Sequence, residues 1–329
     1  MLPYFDAHCD TIAVLAKHGG SLARNGYHLD ITRLGAYTPC AQVFALFGDI
    51  GTRLRAACIS EEEFSSRVRA GEVRADSYAD ALYHTLLTAF QTAITENRNH
   101  ISHCRTAADL DSATQEGKVA AFLAVEGADL LYGTTLEKAY HDGVRIVTLT
   151  WNYANHLGGS CVTGGGLTEA GRSFVRRAGE LGIVVDVSHG SDELFFDVAE
   201  VSKKPFIASH SNSRAVYPHR RNLTDEQFRT LVKAGGVAGI NFYTAFLSDD
   251  TCTLTNVIRH IEHFFSLGGE RNVCLGGDLD GCGSLPQGIS GVQDMDLLAE
   301  ELARLGYTDS LIQDLFYNNL SRVIREVIG

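Results

Sequence analysis

Residues 183 to 210 read IVVDVSHGSDELFFDVAEVSKKPFIASH. Two apolar runs of strand length, Ile183 to Val187 and Phe206 to Ala208, flank an amphipathic stretch of helix length from Asp192 to Val201. A serine precedes the amphipathic stretch, and serine is a common helix cap. The pattern therefore predicts a strand, a helix and a second strand, and a histidine follows each strand closely.

The same alternation extends over the whole chain. Continuous apolar runs indicate strands that are buried on both faces, as in a parallel sheet covered by helices. Eight such units favour an α/β fold of the (β/α)8 TIM barrel type, with residues 1–329 as a single domain. The predicted strands are Pro3 to Phe5, Ala41 to Phe47, Val119 to Val125, Val144 to Thr150, Ile183 to Val187, Phe206 to Ala208, Val237 to Phe242 and Val273 to Leu275.

The connection after the second strand is longer than one crossover requires. It runs from about Asp49 to Gly117, and its helical pattern from Glu61 to Asn97 predicts a helical insertion over one barrel face. The last two amphipathic stretches, Val292 to Leu305 and Thr308 to Val327, are expected to complete the outer helical layer.

The charge and composition of the chain exclude some classes of binding partner. Lys and Arg total 28 against 40 Asp and Glu, so the formal net charge of −12 argues against nucleic acid and anionic membrane surfaces. No secretory leader and no stretch of roughly 20 apolar residues is seen, which predicts a cytoplasmic protein without a membrane anchor. The eight cysteines stand at irregular intervals, as expected of reduced, mostly buried thiols.

Polar side chains that can bind metals follow strand after strand. On a barrel the carboxyl ends of the strands meet on one face, where active sites lie. The residues in these positions are His8, Asp10, Glu126, His189, His210 and Asp278.

The spacing of these residues predicts two ion sites. His8 and Asp10 are two apart, so in an extended segment both side chains project to one face and can hold one ion. His189 and His210 end consecutive strands and can hold a second ion. Glu126 has one carboxylate oxygen for each ion, as in a two-metal hydrolytic centre.

An ordered set of motifs resembles the membrane dipeptidase (renal dipeptidase) family from the first strand to the closing helix. Each motif is short, but the set occurs in the family's order. The motifs are Asp6-Ala7-His8-Cys9-Asp10-Thr11, Val125-Glu126-Gly127, Val147-Thr148-Leu149-Thr150, Asp186-Val187-Ser188-His189, Ser209-His210-Ser211, Arg220-Arg221-Asn222, Asn241-Phe242-Tyr243, Gly276-Gly277-Asp278-Leu279-Asp280-Gly281 and Asn318-Asn319-Leu320-Ser321-Arg322-Val323.

The resemblance implies a zinc-dependent dipeptidase on a barrel of the metal-dependent hydrolase type. It assigns His8 and Asp10 to one zinc ion, His189 and His210 to the other, and Glu126 to the bridge between them. The predicted cofactors are two Zn2+ per chain, although other divalent transition metals suit the same ligands. The family's habit also predicts a homodimer.

The resemblance further implies roles around the metals. Asp278 acts as acid and base beside the catalytic bridge Glu126, and a metal-bridging hydroxide attacks the peptide bond. Arg221 binds the terminal carboxylate of a free dipeptide, with Trp151 and Tyr243 as further substrate contacts. Trp151 departs from the pattern, because many members carry a histidine there that is thought to stabilise the tetrahedral intermediate.

Several alternatives stay open at this point. Another binuclear amidohydrolase would cleave a different amide, a lactam or a modified dipeptide, and a mononuclear deaminase would leave Glu126 without a second ion to serve. A non-enzymatic barrel is favoured only if Trp151 fills the pocket. Arg221 could instead form a surface salt bridge with a local acid such as Asp225. The pairs His260 and His263, and His100 and His103, are predicted to be solvated helix residues.

Overall fold

The structure, a computed structural model, describes residues 1–50, 63, 66 and 76–329. The described part contains nine strands that pair in parallel throughout. They are β1 (Tyr4–Cys9), β2 (Cys40–Phe47), β3 (Ile101–His103), β4 (Val119–Glu126), β5 (Val144–Thr148), β6 (Val184–Asp186), β7 (Ile207–Ala208), β8 (Val237–Ile240) and β9 (Val273–Leu275).

Pairing of β2 with β4 closes the sheet into a barrel. This ladder runs from Ala41 opposite Ala120 to Phe47 opposite Glu126, and the other side of β2 pairs with β1. The barrel therefore has eight strands, and the predicted (β/α)8 TIM barrel is confirmed. The short strand β3 was not predicted; it pairs only with the beginning of β4, before β5 joins the same edge.

The helices follow the strands on the outside of the barrel. They are α1 (Thr11–His18), α2 (Ile31–Leu34), α3 (Asp76–Glu96), α4 (Ala107–Gln115), α5 (Leu136–Asp142), α6 (Glu169–Leu181), α7 (Asp192–Val201), α8 (Asp225–Lys233), α9 (Leu254–Ser266), α10 (Met295–Arg304), α11 (Asp309–Gln313) and α12 (Asn319–Ile328). Helix α3 confirms a helical insertion after the second strand. Residues 61 to 75 of that predicted pattern lie, apart from 63 and 66, outside the described residues.

Hydroxyl side chains set the beginnings of the outer helices. The side chains of Thr168, Ser191 and Thr224 accept backbone N–H groups in the first turns of α6, α7 and α8. Gly182 ends α6 in the left-handed conformation, which glycine adopts without strain. These local signals place each helix between two strands and leave the strand ends free for the site.

The apolar core has two parts. The larger part packs the outer faces of the strands against the helices. The smaller part fills the barrel interior with residues such as Phe5, Val43 and Phe122, and Leu320 and Val323 of α12 pack against them. Helix α12 thus closes the end of the barrel at which the strands begin, and the end at which the strands finish is open.

In the part of the chain that the structure describes, no helix combines the length and the apolar character needed to cross a bilayer.

Candidate metal centre

All six predicted metal-site and acid–base residues meet at the carboxyl ends of the strands. A register shift in β1 between Asp6 and Cys9 turns the end of that strand, as a bulge does, and Glu126 is the last residue of β4. Within the described residues, two groups have ligand atoms within 4.8 Å of one another and could each hold an ion. These groups are His8, Glu126 and His210, and His8, Asp10 and Asp278.

His8 is the centre of one half of the cluster. Its Nε2 atom lies 3.5 Å from Asp10 Oδ2, 3.4 Å from Glu126 Oε2 and 4.0 Å from Asp278 Oδ1. Nε2 of His8 and Oδ1 of Asp10 are buried and have no hydrogen-bond partner. Buried polar atoms without partners are costly unless a ligand satisfies them.

His189 and His210 form the other half. Their Nε2 atoms are 3.0 Å apart, and they lie 3.0 Å and 3.6 Å, respectively, from Glu126 Oε1. Glu126 thus has one oxygen toward His8 and the other toward the two later histidines. The predicted ligands are therefore together, and Oδ1 of Asp278 lies 4.0 Å from Nε2 of His8.

The hydrogen bonds behind the two later histidines indicate which nitrogen faces the cluster. Nδ1 of His189 donates to the amide oxygen of Asn152 at 2.9 Å. Nδ1 of His210 donates to Ser209 Oγ at 2.7 Å, and that hydroxyl donates to Asp186 Oδ2 at 2.6 Å. Both Nε2 atoms are therefore unprotonated, so two nitrogen lone pairs and a carboxylate oxygen converge. This donor set fits a divalent metal ion.

Burial keeps these two histidines neutral. Burial and the nearby Arg221 guanidinium lower the pKa of His189 to about 4. Burial, together with the charge of His8, also holds the pKa of His210 well below its usual value. Neutral imidazole is the form that binds metals.

The carboxylates need positive charge beside them. Burial and the charge of Glu126 raise the pKa of Asp10 to about 6, and burial with the charges of Asp10 and Glu126 raises the pKa of Asp278 to about 7. Burial alone would lower the pKa of His8, but Glu126 and Asp10 raise it well above its usual value.

The backbone at the site is held in an uncommon conformation. Of the non-glycine residues that the structure describes, only His189, Asp278 and Asp280 have positive φ angles, of 67°, 56° and 67°. Residues other than glycine rarely have a positive φ angle, and those that do concentrate at functional sites. Gly281 is equally constrained, because a Cβ atom there would collide with the carboxylates of Asp10 and Asp278.

A cavity of about 710 Å3 opens over the cluster. Trp151 and Tyr243 lie in its wall, so the tryptophan lines the pocket rather than filling it. Trp151 packs against Phe47 with ring centroids 5.1 Å apart. Apolar wall residues also come from α1 and α3, including Val14, Leu82 and Leu86.

Arg221 lies beside the cluster, behind the cavity wall. It is 6% exposed, donates to the carbonyl oxygen of His210 at 3.2 Å and lies over Phe246 at 5.5 Å from the ring centre. Its Nε is buried without a hydrogen-bond partner, and it forms no ion pair with any described acidic side chain. The alternative surface salt bridge to Asp225 is wrong, because Arg221 is buried and the ion-pair partners of Asp225 among the described residues are Arg229 and His263.

Two sets of residues were missed or misplaced. Asn152, Asp186 and Ser209 were given no role, although Asp186 and Ser209 stand in quoted motifs and a charged residue such as Asp186 inside an apolar strand is a detectable signal. Solvation of His260 and His103 was wrong. His260 is fully buried, and His103 belongs to β3, where burial lowers its pKa to about 4.

A closed parallel barrel with histidines and carboxylates at the carboxyl ends of its strands defines the chain as a metal-dependent hydrolase. The family model described as membrane dipeptidase (peptidase family M19) matches residues 1–328. The chain belongs to this family of metallo-dipeptidases.

Individual relatives agree with this assignment. An uncharacterized Klebsiella pneumoniae protein is 34% identical over 73% of this chain and 94% of its own length. A Rhodobacter sphaeroides metallo peptidase, solved with a phosphinate mimic of L-Ala-D-Ala, is 28% identical, covers 99% of both chains and has a TM-score of 0.85. A second solved M19 dipeptidase is also 28% identical, with a TM-score of 0.84 over 100% of this chain and 99% of its own.

Proposed function

We propose that the protein is a zinc-dependent dipeptidase that hydrolyses the peptide bond of free dipeptides with two Zn2+ per chain. His8 and Asp10 would hold one ion, His189 and His210 the other, and Glu126 would bridge them. The observation that carries the proposal is the pair of unprotonated Nε2 atoms, 3.0 Å apart and both directed at Glu126. Such a pair is repulsive until a cation lies between its members.

Bound ions would supply Lewis acidity, which polarises a peptide carbonyl and lowers the pKa of a water molecule. Asp278 would accept the proton of the attacking water and deliver it to the leaving amine. Asn241 donates to Asp278 Oδ2 at 3.1 Å and leaves Oδ1 facing the cluster. The raised pKa of Asp278 suits a group that must both take up and release a proton, and a nearby cation would lower it.

Arg221 would bind the terminal carboxylate of the substrate. A guanidinium can form a bidentate pair with a carboxylate, and a buried Arg221 with an unpartnered Nε has donors left for it. Trp151 and Tyr243 in the cavity wall would contact the body of the substrate. The carboxylate contact would limit hydrolysis to dipeptides, because a longer peptide places its carboxylate elsewhere. The dipeptide mimic bound to the Rhodobacter sphaeroides relative supports a substrate of this size.

The test is hydrolysis of L-L and L-D dipeptides by zinc-loaded protein, with tripeptides and carboxy-amidated dipeptides alongside. Cleavage confined to free dipeptides is expected. The zinc content of the same sample is measured, so that a sample without metal is not mistaken for an inactive enzyme. Cleavage of amidated and free dipeptides at equal rates would contradict the role of Arg221.

A second candidate is hydrolysis of another amide, a lactam or a modified dipeptide by the same centre. Trp151 favours it, since an indole stands in the cavity wall where many family members carry a histidine. Protein that holds two metal ions yet cleaves none of the dipeptides would support this candidate.

A further inference from the structure

We propose that Asp186 and Ser209 are positioning residues, which fix the proton of His210 on Nδ1 and so keep its Nε2 atom free for a cation. The inference rests on the proposed metal site. It concerns a carboxylate that does not touch the cluster and acts through the Ser209 hydroxyl.

Asp186 is placed to accept hydrogen bonds only. It is fully buried at the end of β6. Its Oδ1 accepts the backbone N–H groups of Ser188 at 3.0 Å and Ser209 at 2.9 Å. Its Oδ2 accepts the hydroxyls of Thr148 and Ser209, both at 2.6 Å. Four donors around one buried side chain are the surroundings of a carboxylate.

The Ser209 hydroxyl connects this carboxylate to His210 and fixes the direction of the hydrogen bond between them. A hydroxyl has one hydrogen, and that of Ser209 is donated to Asp186. The Ser209 oxygen can therefore only accept from Nδ1 of His210, at 2.7 Å. A neutral imidazole with hydrogen on Nδ1 has its lone pair on Nε2, which is the atom facing His189 and Glu126.

Asp186→Asn would reverse this chain of hydrogen bonds without changing its shape. The two backbone N–H groups at Oδ1 require the amide oxygen there, so the amide NH2 must face Thr148 and Ser209. Ser209 would then accept from Asn at position 186 and donate to Nδ1 of His210. The hydrogen of His210 would move to Nε2 and block the position of the cation.

Ser209→Ala has a different effect. It removes the hydroxyl and leaves His210 free to carry its hydrogen on either nitrogen. The loss of cation affinity should therefore be smaller than in Asp186→Asn. In the double variant the reversing hydroxyl is gone, so Ser209→Ala should partly restore what Asp186→Asn loses.

The first experiment measures Zn2+ affinity of the full chain by competition with a chelator. We expect a loss of roughly 10- to 100-fold for Asp186→Asn, a smaller loss for Ser209→Ala, and tighter binding by the double variant than by Asp186→Asn alone. Thr148→Val is the matched control, because it removes a hydroxyl from the same carboxylate oxygen without touching His210, and its affinity should stay near that of the wild type. If the double variant binds Zn2+ no tighter than Asp186→Asn does, the loss of affinity in Asp186→Asn comes from lost charge or packing and not from a reversed hydrogen-bond chain. This result would overturn the proposal.

The second experiment reads the proton directly. Nitrogen-15 NMR of the metal-free wild-type chain should show His210 with its hydrogen on Nδ1, and the Asp186→Asn chain should show it on Nε2. An Nε2 hydrogen in the wild type overturns the proposal even if Asp186→Asn fails to fold. Wild-type protein that binds no Zn2+ contradicts the proposed metal site itself, whereas wild-type binding of two ions with unchanged affinity in Asp186→Asn contradicts only the role of Asp186.

Discussion

At the scale of single residues, the orientation of each metal-facing histidine depends on a partner outside the cluster. His189 has Asn152 behind it and His210 has Ser209. Each partner determines which nitrogen of the imidazole is protonated and so directs the lone pair of the other nitrogen at the cluster. Another side chain of similar size would not supply this lone pair.

Loss of His210 should remove one ion. In His210→Ala the second site keeps only His189 and one oxygen of Glu126, so we expect zinc per chain to fall from two to one and kcat/KM to fall at least about 100-fold. Elemental analysis and dipeptide hydrolysis measure the two effects. His141→Ala, at the exposed end of α5, is the control and should change neither. Two zinc ions and normal turnover in His210→Ala would contradict the ligand assignment.

The effect of Arg221 on KM should come from the substrate carboxylate. Arg221→Ala is expected to raise KM for free dipeptides about 100-fold, since a hydrogen bond between charged groups contributes roughly 1.5–3 kcal/mol. KM for carboxy-amidated dipeptides should hardly change, because they offer no charge to the guanidinium. Steady-state kinetics on both substrates of one sequence decide the matter. Equal increases for both would exclude the carboxylate contact.

His260 should make the protein less stable in mild acid. Nδ1 of His260 accepts the backbone N–H of Ser213 at 3.1 Å, so protonation there would break this bond. Burial lowers the pKa of His260 from 6.5 to about 4. The unfolded chain binds this proton below pH 6.5 and the folded chain does not until about pH 4. As the pH decreases from 6.5 to about 4, the free energy of unfolding should therefore fall, by at most about 3 kcal/mol.

Urea unfolding at several pH values measures this effect. His260→Gln should lose this part of the pH dependence, whereas His263→Gln on the same helix should keep it. An unchanged pH profile in His260→Gln would show that other groups cause the acid sensitivity.

Sequence reasoning at this scale found the side chains that end strands and missed those that act from within them. His8, Glu126 and His210 could be predicted because the end of an apolar run marks the active face of a barrel. Asp186 could not be assigned a role, since its partner Ser209 follows the next strand, β7, and only the pairing of β6 with β7 brings them together. The solvation of His260 was wrong because α9 turns that residue toward the loop at Ser213.

At the scale of elements, the loop after β9 fits closely against the beginning of α1. Thr11 donates to Asp280 Oδ2 and the backbone N–H of His28 donates to Asp280 Oδ1, both at 2.6 Å. These bonds place Gly281 between the carboxylates of Asp10 and Asp278. The loop therefore sets the separation of two site residues from different strands.

Gly281→Ala should damage the site with little effect on the fold. The added methyl group would collide with both carboxylates, so we expect kcat/KM to fall more than about 10-fold and zinc affinity to fall with it, as for a disturbed ligand set. Hydrolysis and zinc competition are the measurements. Gly26→Ala is the matched control, because nothing lies within 4 Å of a Cβ at that position. Equal activity in the two variants would contradict the close fit.

Element prediction succeeded where apolar runs were continuous and failed at β3, where the run contains polar residues. The eight barrel strands were found from their composition. Strand β3 has only three residues, of which Ile101 alone is fully apolar, so its identity depends on pairing with β4 and not on its own sequence.

At the scale of the whole molecule, the proposed ligands tie together strands that are far apart in the sequence. They come from β1, β4 and the ends of β6 and β7, so bound ions would link the first strand to the second half of the barrel. The single domain over residues 1–329 remains a prediction, but a link of this kind favours unfolding in one transition.

Metal removal should therefore lower thermal stability. An ion that binds only the folded chain stabilises it by about 2.7 kcal/mol when its concentration is 100 times its dissociation constant. Calorimetry with a chelator, followed by excess Zn2+, should show a lower Tm that recovers. His210→Ala should show a smaller recovery than the wild type. A Tm that is the same with and without metal would contradict binding of the ions by the folded chain alone.

The three left-handed residues His189, Asp278 and Asp280 also have an evolutionary consequence. Each is expected to cost roughly 1 kcal/mol relative to glycine at the same position. Asp280 offsets this cost through its hydrogen bonds to Thr11 and His28, whereas selection for hydrolysis maintains His189 and Asp278 against a standing preference for glycine. A lineage released from that selection should lose His189 and Asp278 early and gain stability in doing so, and its descendants would keep an intact barrel long after they had ceased to be enzymes.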